Sequence, residues 1–459
     1  MSLRQRTAPP HIKHRLGIAG LVAVMYLIVS GGPYGIEDAV RIAGARLALI
    51  LCAVVPLTLS LPTALMASEL TALIPHEGGF YLWVKEALGP FAGFLEAYLT
   101  VLYTAVDMAV YPVLFATYLS FAIHLGTTGQ IVLAAALVWF SGLLNILGIR
   151  PVGNTSVALA LIAIAPFAVF VIIGSPRLLN WQFPVQPITH SDFLGALGGG
   201  LIVVIWNYCG WENLSMVAGE LETPRRNYLR AILITLPIAT AGYLLPLGIA
   251  LSGVRSTDQW QLGHFAHEAY LLGGSALSRS IVLGGAVSAF AMFEAGLLWV
   301  SRIPFVLASE RYLPSGLTRL SETTATPVRS ILICCVVFTL LVPLGFVALV
   351  VLDVFFYMGA LALEMSALVR LRRTRPERGD RFVAGHGRLT LALIVAAPIL
   401  TWVATFGLAI SQDEGKGDMI LAVVLALGAF PAYWILRRRY GGPPPLRLGE
   451  RPVTNHDPK

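Results

Sequence analysis

Carboxylates that stand alone inside long apolar segments are the residues of this 459-residue sequence best suited to chemistry. Asp107, Glu294 and Glu364 each lie well within such a segment. Burying an ionised carboxylate in apolar surroundings is costly, so each one is a candidate cation or proton site. Pairing with an arginine near a helix end, or permanent protonation, is the alternative for Glu294 and Glu364. No basic residue lies near Asp107 in the chain, which favours a substrate or proton role there.

Two of the apolar segments also contain stretches that do not sustain a helix. The first is Ser30-Gly31-Gly32-Pro33-Tyr34-Gly35, and the second is Trp206-Asn207-Tyr208-Cys209-Gly210. Glycine and proline interrupt helical hydrogen bonds, and in lipid the freed backbone groups must line a cavity or meet a ligand. A kink filled by a neighbouring helix is the simpler alternative. Two breaks at corresponding places in two halves of the chain instead predict a binding site near the middle of the membrane.

The composition places these features in a membrane. Hydrophobic residues make up 56% of the chain and charged residues only 12%, with a mean hydropathy of +0.75. A soluble fold of this length needs far more polar surface. Apolar runs long enough to cross the hydrocarbon recur along the chain and predict an all-α membrane protein with twelve transmembrane helices. The stretch 331–371 is too long for one crossing, so Pro343 and Gly345 are expected to divide it into two short helices.

The loops predict how the chain is organised across the membrane. We expect a cytoplasmic tail at 1–16, a first five-helix repeat at 17–173, a second at 193–371, two further helices at 389–436, and a cytoplasmic tail at 437–459. With both termini inside, most of the 32 Lys and Arg residues fall on the cytoplasmic side, as the positive-inside rule requires. This predicts a multi-pass protein of the plasma membrane, or of the bacterial inner membrane if the source is prokaryotic.

Several function classes find no support in the sequence. The basic loops explain the net charge of +7, so we do not expect nucleic-acid binding. No phosphate-binding glycine loop followed by lysine is present, which argues against an ATP-driven pump. Neither a nucleophile–base pair nor a metal-ligand spacing is apparent, so we expect no enzyme activity, no metal and no cofactor. The sequence leaves protein partners open; the partners that it implies are the lipid bilayer and a small-molecule substrate.

The residues around the breaks resemble the amino acid–polyamine–organocation superfamily. The likeness is carried by 31–40 in the first helix and 206–220 around the sixth, with shorter matches at 75–80, 107–115 and 308–314. It extends over nearly the whole chain and is nearest to the polyamine-uptake and L-type amino-acid transporter branches. The resemblance implies a LeuT-type fold, in which two inverted five-helix repeats are followed by two extra helices. It also implies a secondary transporter that works by alternating access.

The resemblance leaves two substrate classes open. In amino-acid members of the superfamily the first-helix glycines, here Gly31, Gly32 and Gly35, bind the substrate carboxylate, and the backbone at the sixth-helix break binds its amino group. The buried acids, with no lysine in any predicted transmembrane helix to pair with, instead suit a polyamine such as putrescine or spermidine. We take a polyamine or other cationic substrate as the main expectation and a zwitterionic amino acid as the alternative.

The candidate substrate-binding residues surround the breaks and the buried acids. They are Gly31, Gly32, Tyr34, Gly35, Glu37, Asp107, Tyr111, Trp206, Asn207, Tyr208, Gly210, Glu212 and Glu294. For Glu37 an ion pair with Arg41, four residues on, is equally expected, and Glu69 is expected to form a structural ion pair. The aromatic side chains suit cation–π contacts, with core packing as the alternative. We expect proton symport through a buried acid, with antiport or facilitated exchange as the alternatives, although the fifth helix, 154–173, lacks the lysine that some members use.

Overall fold

The computed structural model defines the chain over twelve ranges, and all regular structure within them is helical. The described residues are 18–74, 79–148, 154–181, 193–213, 215, 224–252, 256–257, 259–324, 326–375, 382–385, 387–410 and 416–441. The expected tail at 1–16 and the C-terminal tail beyond Gly441 lie outside these ranges. Most of the 75–80 match and the chain just after Ser215 also lie outside them.

Sixteen α-helices lie in the described part of the chain. The first seven are α1 (Ile18–Val29), α2 (Glu37–Val55), α3 (Leu61–Leu73), α4 (Gly79–Leu88), α5 (Pro90–Ile123), α6 (Thr127–Ile146) and α7 (Asn154–Leu179). The others are α8 (Phe193–Asn207), α9 (Pro224–Leu251), α10 (His264–Val300), α11 (Arg302–Ser309), α12 (Val328–Leu341), α13 (Phe346–Thr374), α14 (Arg388–Ile410), α15 (Lys416–Leu427) and α16 (Ala429–Tyr440).

Length and apolar composition make most of these helices membrane-spanning. Within the described ranges, nine helical stretches are long and apolar enough to cross a bilayer, while α8 and Val328–Leu344 are shorter apolar helices. Aliphatic side chains on their outer faces are strongly exposed, with Ile172 at 71%, Leu340 at 73% and Leu389 at 74%. Water does not tolerate so many exposed aliphatic side chains, whereas lipid does. The chain is therefore a multi-pass membrane protein.

The first broken segment separates two helices, as the sequence predicts. The helix of α1 stops at Val29, and α2 resumes at Glu37 after a non-helical stretch. Within α2, Gly44 has φ 75° and ψ 163°, so Glu37–Ala43 forms a separate short half-helix. Only glycine adopts such angles without strain. The chain then runs from Ala45 through a π-helical turn at Pro56–Ser60 into α3.

The long apolar stretch 331–371 is divided where proline and glycine predict. A 3-10 turn at Val342–Leu344 contains Pro343, and Gly345 follows with φ 77°. The prediction of two short helices is only half right, because α13 has 29 residues and extends to Thr374. Pro343 limits the first helix, but no residue after Gly345 interrupts the second, so it continues into the arginines of its last turn, Arg372 and Arg373.

The core of the bundle is built around α5, α10 and α13. Small residues let α10 approach its neighbours closely: a Cβ added at Gly285 would lie 2.8 Å from the Tyr118 ring, and one at Gly296 would meet Met108. The helices α5 and α13 pack antiparallel, because Leu99 lies beside Gly359 while Tyr103, one turn further along α5, lies beside Tyr357. These three helices therefore place their buried polar residues in the centre of the molecule.

Candidate functional site

The two broken segments meet at a small cavity in the bundle core. Its walls come from the end of α1, the middle of α5, the break after α8, and the facing turns of α10 and α13. The lining residues are Val29, Ser30, Tyr103, Asp107, Tyr111, Trp206, Asn207, Cys209, Gly210, Asn213, Met292, Asp353 and Tyr357. The cavity measures about 20 Å³, which holds roughly one water molecule. A diamine therefore requires these walls to move apart.

Backbone geometry at the first break depends on glycine. Gly31, Gly32 and Gly35 have φ values of 61°, 114° and 93°. The carbonyl of Gly31 accepts a hydrogen bond of 2.5 Å from Ser288 Oγ on α10. A Cβ at Gly31 would collide with the sulfur of Met292. The break is therefore fixed against α10, and Val29 and Ser30, not the three glycines, reach the cavity lining.

The second break begins where α8 ends at Asn207. The Asn207 carbonyl accepts a 2.9 Å hydrogen bond from Tyr243, whose own oxygen accepts one from Ser30 Oγ, so one tyrosine links the two breaks. The Tyr208 carbonyl accepts from Ser60 Oγ at 3.0 Å. Gly210, with φ 89°, turns the chain back toward Tyr357, which accepts a hydrogen bond from its N–H.

Asp107 lies on the cavity wall between the two breaks, as the sequence predicts for a site residue. Its two carboxylate oxygens accept hydrogen bonds from Tyr111 Oη at 2.8 Å and from Trp206 Nε1 at 3.1 Å. The Trp206 ring also packs edge-on against Phe346, with centroids 5.4 Å apart. Three of the predicted residues therefore form one unit that holds a carboxylate at the cavity.

Asp353 is a second carboxylate in the lining, and the sequence analysis missed it. It lies on α13 with 1% of its surface exposed, and Oδ1 has no hydrogen-bond partner in the described part of the chain. Asp107 is close enough for the two charges to interact. The signal was available, because Asp353 is a lone acid in an apolar run, like Asp107.

The chemistry of this lining favours a cation. Two carboxylates face a cavity whose described lining contains no Lys, Arg or His. An ammonium group would meet carboxylate oxygens as acceptors, and the aromatic lining residues Trp206 and Tyr111 are of a type suited to cation–π contact. Two carboxylates without a basic neighbour in the described lining would stabilise a bound cation.

Glu37 lies away from this cavity and is fully occupied by protein donors. Its carboxylate accepts hydrogen bonds from Tyr118 Oη at 2.8 Å, from Gly35 N at 2.9 Å and from Gly263 N at 3.2 Å. The expected ion pair between Glu37 and Arg41 is wrong, because Arg41 Nε donates instead to Asp38 at 2.9 Å. Glu37 faces inward from its half-helix, whereas Asp38 faces the same side as Arg41.

The other predicted residues divide between the cavity and the surrounding structure. Glu212 follows the second break and accepts a 3.0 Å hydrogen bond from Tyr357. Tyr208 and Tyr34 point away and donate to the backbone carbonyls of Cys52 and Ala163. Glu294 lies at the contact of α6 and α10, where Asn145 donates to it at 2.8 Å, and it is not among the lining residues.

An ion pair with Arg372 matches the sequence prediction for Glu69. Arg372 donates to both Glu69 oxygens, at 2.6 and 2.5 Å, and the backbone N–H of Ala384 adds a third bond at 2.8 Å. Lys85, which belongs to the short helix α4, pairs with Glu310 at 2.7 Å. The predicted structural role of Glu69 is therefore confirmed.

A multi-pass helical protein with two broken segments around a polar cavity has the architecture that is typical of solute carriers, not of enzymes. The family model for amino acid permeases matches residues 20–430, and the chain belongs to this family of membrane transporters.

Curated relatives cover most of the chain. The polyamine transporter PUT1 of Oryza sativa subsp. japonica is 32% identical over 94% of this chain and 80% of its own length. The polyamine transporter RMV1 of Arabidopsis thaliana is 31% identical over 84% of this chain and 78% of its own length. The serine/threonine exchanger SteT of Bacillus subtilis is 26% identical over 56% of this chain and 59% of its own length.

Proposed function

We propose that this permease transports polyamines such as putrescine and spermidine. The observation that carries the proposal is the pair of carboxylates, the half-buried Asp107 and the buried Asp353, on a cavity wall without a basic side chain among its described residues. A substrate carboxylate brought against this pair would be repelled, whereas an ammonium group would be stabilised. The names of the Oryza and Arabidopsis relatives support the same substrate class.

The backbone at the first break is poorly placed for the alternative, a zwitterionic amino acid. Gly31 N already donates to the Tyr26 carbonyl, and Gly35 N donates to Glu37. Glu37 also supplies a negative charge at the start of α2, where a substrate carboxylate would otherwise be attracted. The name of the Bacillus relative, a serine/threonine exchanger, supports amino-acid exchange as the second candidate function.

The proposed architecture is that of twelve crossings in a five-plus-five inverted repeat with two further helices. Support comes from adding three shorter crossings to the nine long stretches of the described residues: α1 with the half-helix Glu37–Ala43, α8, and Val328–Leu344. The repeats would occupy 17–173 and 193–371. The arginine-rich loops support a plasma-membrane orientation with both termini in the cytoplasm.

Alternating access would then open the cavity to one side at a time. On the proposed outer side, Glu37 joins the first break to Tyr118 on α5 and to Gly263 before α10. On the inner side, the Glu69–Arg372 and Lys85–Glu310 pairs hold α3, α4, α11 and α13 together. Each set of contacts must separate for substrate to enter or leave.

Proton coupling is proposed to use Asp107 and Asp353 when no substrate amine is bound to them. Asp107 and Asp353 face one cavity without a basic side chain in its described lining, so a proton would replace the missing ammonium group. This makes protons and polyamine competitors for one site. An inward proton gradient is then expected to alter polyamine uptake.

Uptake into proteoliposomes tests the proposal. Labelled putrescine and spermidine are compared with leucine, arginine and alanine, with and without an inward proton gradient. We expect saturable polyamine uptake that Asp107→Asn strongly reduces. Uptake of leucine or alanine, with polyamines neither transported nor competing, would falsify the polyamine assignment and favour the amino-acid alternative.

A further inference from the structure

The two helices that carry the cavity carboxylates have the same polar pattern in opposite directions. On α5 it is Glu96, then Tyr103 seven residues later, then Asp107 four residues after that. On α13 the order is Asp353, Tyr357 and Glu364, with the same two spacings reversed. Because the two helices pack antiparallel, the pattern brings equal residue types to equal heights.

Contacts between the helices agree with this pairing at each height. Asp107 and Asp353 form the upper level, at the cavity. The Tyr103 and Tyr357 rings meet edge to face at the middle level, with centroids 5.6 Å apart. Glu364 lies close enough to Glu96 for their charges to interact at the lower level. The lower level is nearer the cytoplasm in the proposed orientation.

The lower level is a cluster of three carboxylates, since Glu212 is near enough to interact with both Glu96 and Glu364. Their exposed fractions are 0% for Glu96, 1% for Glu212 and 3% for Glu364. Thr100 donates to Glu96 Oε1 at 2.7 Å and Tyr357 donates to Glu212 Oε2. Oε2 of Glu96 and Oε2 of Glu364 have no hydrogen-bond partner in the described part of the chain.

The nearby basic side chains are committed to other acids. On α4, Lys85 donates to Glu310, and Tyr81 approaches the same carboxylate at 3.4 Å. On α13, Arg372 is bound by Glu69 two turns beyond Glu364. A buried carboxylate oxygen without a donor destabilises the fold, so two such residues beside a third buried carboxylate indicate a ligand that supplies donors.

We propose that Glu96, Glu212 and Glu364 form a second ammonium-binding station, which holds the far amine group of a long polyamine whose first amine lies between Asp107 and Asp353. This inference rests on the proposed polyamine function. Eleven residues separate the two levels on each helix, which corresponds to about 16 Å at 1.5 Å per residue. That span exceeds a four-carbon diamine and matches the length of an extended tetraamine such as spermine, which would pass Tyr103 and Tyr357.

Chain-length selectivity of neutralised variants tests the second station. Glu96→Gln and Glu364→Gln keep side-chain volume while removing one charge each. We expect the KM for spermine to rise about tenfold, as loss of one charge-assisted hydrogen bond predicts, with the KM for putrescine changed less than about twofold. The matched control is Glu294→Gln, a buried glutamate outside the cavity, which should leave both constants unchanged.

An equal loss for putrescine and spermine in the two variants would overturn the second station, because a structural or proton-only role affects both substrates alike. Unaltered spermine KM would also overturn it. Absence of any polyamine uptake by the wild-type protein would instead refute the proposed function itself.

Competition on the wild-type protein gives a measurement that needs no variant. Linear α,ω-diamines of increasing carbon number compete with labelled putrescine. Affinity is expected to rise again once the chain is long enough for its second ammonium to reach Glu96 and Glu364. A steady fall in affinity beyond four carbons would contradict the proposal.

Discussion

Replacing Asp353 by asparagine is expected to weaken polyamine transport without weakening the fold. The side chain keeps its size, but the cavity loses one of two negative charges. A hydrogen bond from an ammonium group to a carboxylate contributes about 1.5–3 kcal/mol, and each 1.4 kcal/mol is about tenfold in affinity. We therefore expect the KM for putrescine to rise roughly 10- to 100-fold in Asp353→Asn.

The same substitution separates a binding role from a structural one. Oδ1 of Asp353 has no hydrogen-bond partner in the described part of the chain, so the fold gains nothing from its charge. Removing an unpaired buried charge leaves stability unchanged or raises it. The unfolding temperature of purified Asp353→Asn in detergent should accordingly equal or exceed that of the wild type.

Initial rates of putrescine uptake in proteoliposomes, measured over a wide concentration range, supply the KM. Glu294→Gln is the control, because it neutralises a buried acid outside the cavity lining. An unchanged putrescine KM in Asp353→Asn would refute the reasoning, as would a loss of uptake accompanied by a markedly lower unfolding temperature.

Two further substitutions test the contacts on either side of the cavity. Glu37 accepts three hydrogen bonds and lies outside the cavity lining. We therefore expect Glu37→Gln to slow uptake while the putrescine Kd stays within about twofold of wild type. A strongly raised Kd would mean that Glu37 belongs to the binding site. Glu69→Gln breaks a largely buried ion pair and should cost about 3 kcal/mol, seen as a lower unfolding temperature. The comparison variant Glu86→Gln has an exposed partner, Arg375, and should change little; equal effects of the two would contradict the assignment.

The breaks and divisions of the helices could be predicted because glycine and proline act locally. Gly31, Gly32 and Gly35 adopt positive φ angles that other residues avoid, and Pro343 with Gly345 separates two helices. These effects depend on the residue and its immediate neighbours. The sequence therefore located both breaks and the cavity that they border without knowledge of how the helices pack.

The direction in which each buried acid points could not be predicted in the same way. Glu37 and Asp38 are adjacent, yet the first is held by Tyr118 on α5 and the second by Arg41 on its own helix. Glu294 belongs to the contact with α6, and only tertiary packing reveals that. Asp353 was overlooked although it is a single acid in an apolar run, as Asp107 is. Its position opposite Asp107 depends on the antiparallel packing of α5 and α13, which the sequence does not show.

Equilibrium binding of labelled putrescine to the purified protein tests the central claim most directly, namely that the acid-lined cavity is a polyamine site. The wild type is compared with the double variant Asp107→Asn/Asp353→Asn, and unlabelled spermidine and leucine serve as competitors. The account predicts saturable binding that spermidine displaces, that leucine leaves intact, and that the double variant loses. Displacement by leucine, or undiminished binding in the double variant, would contradict it.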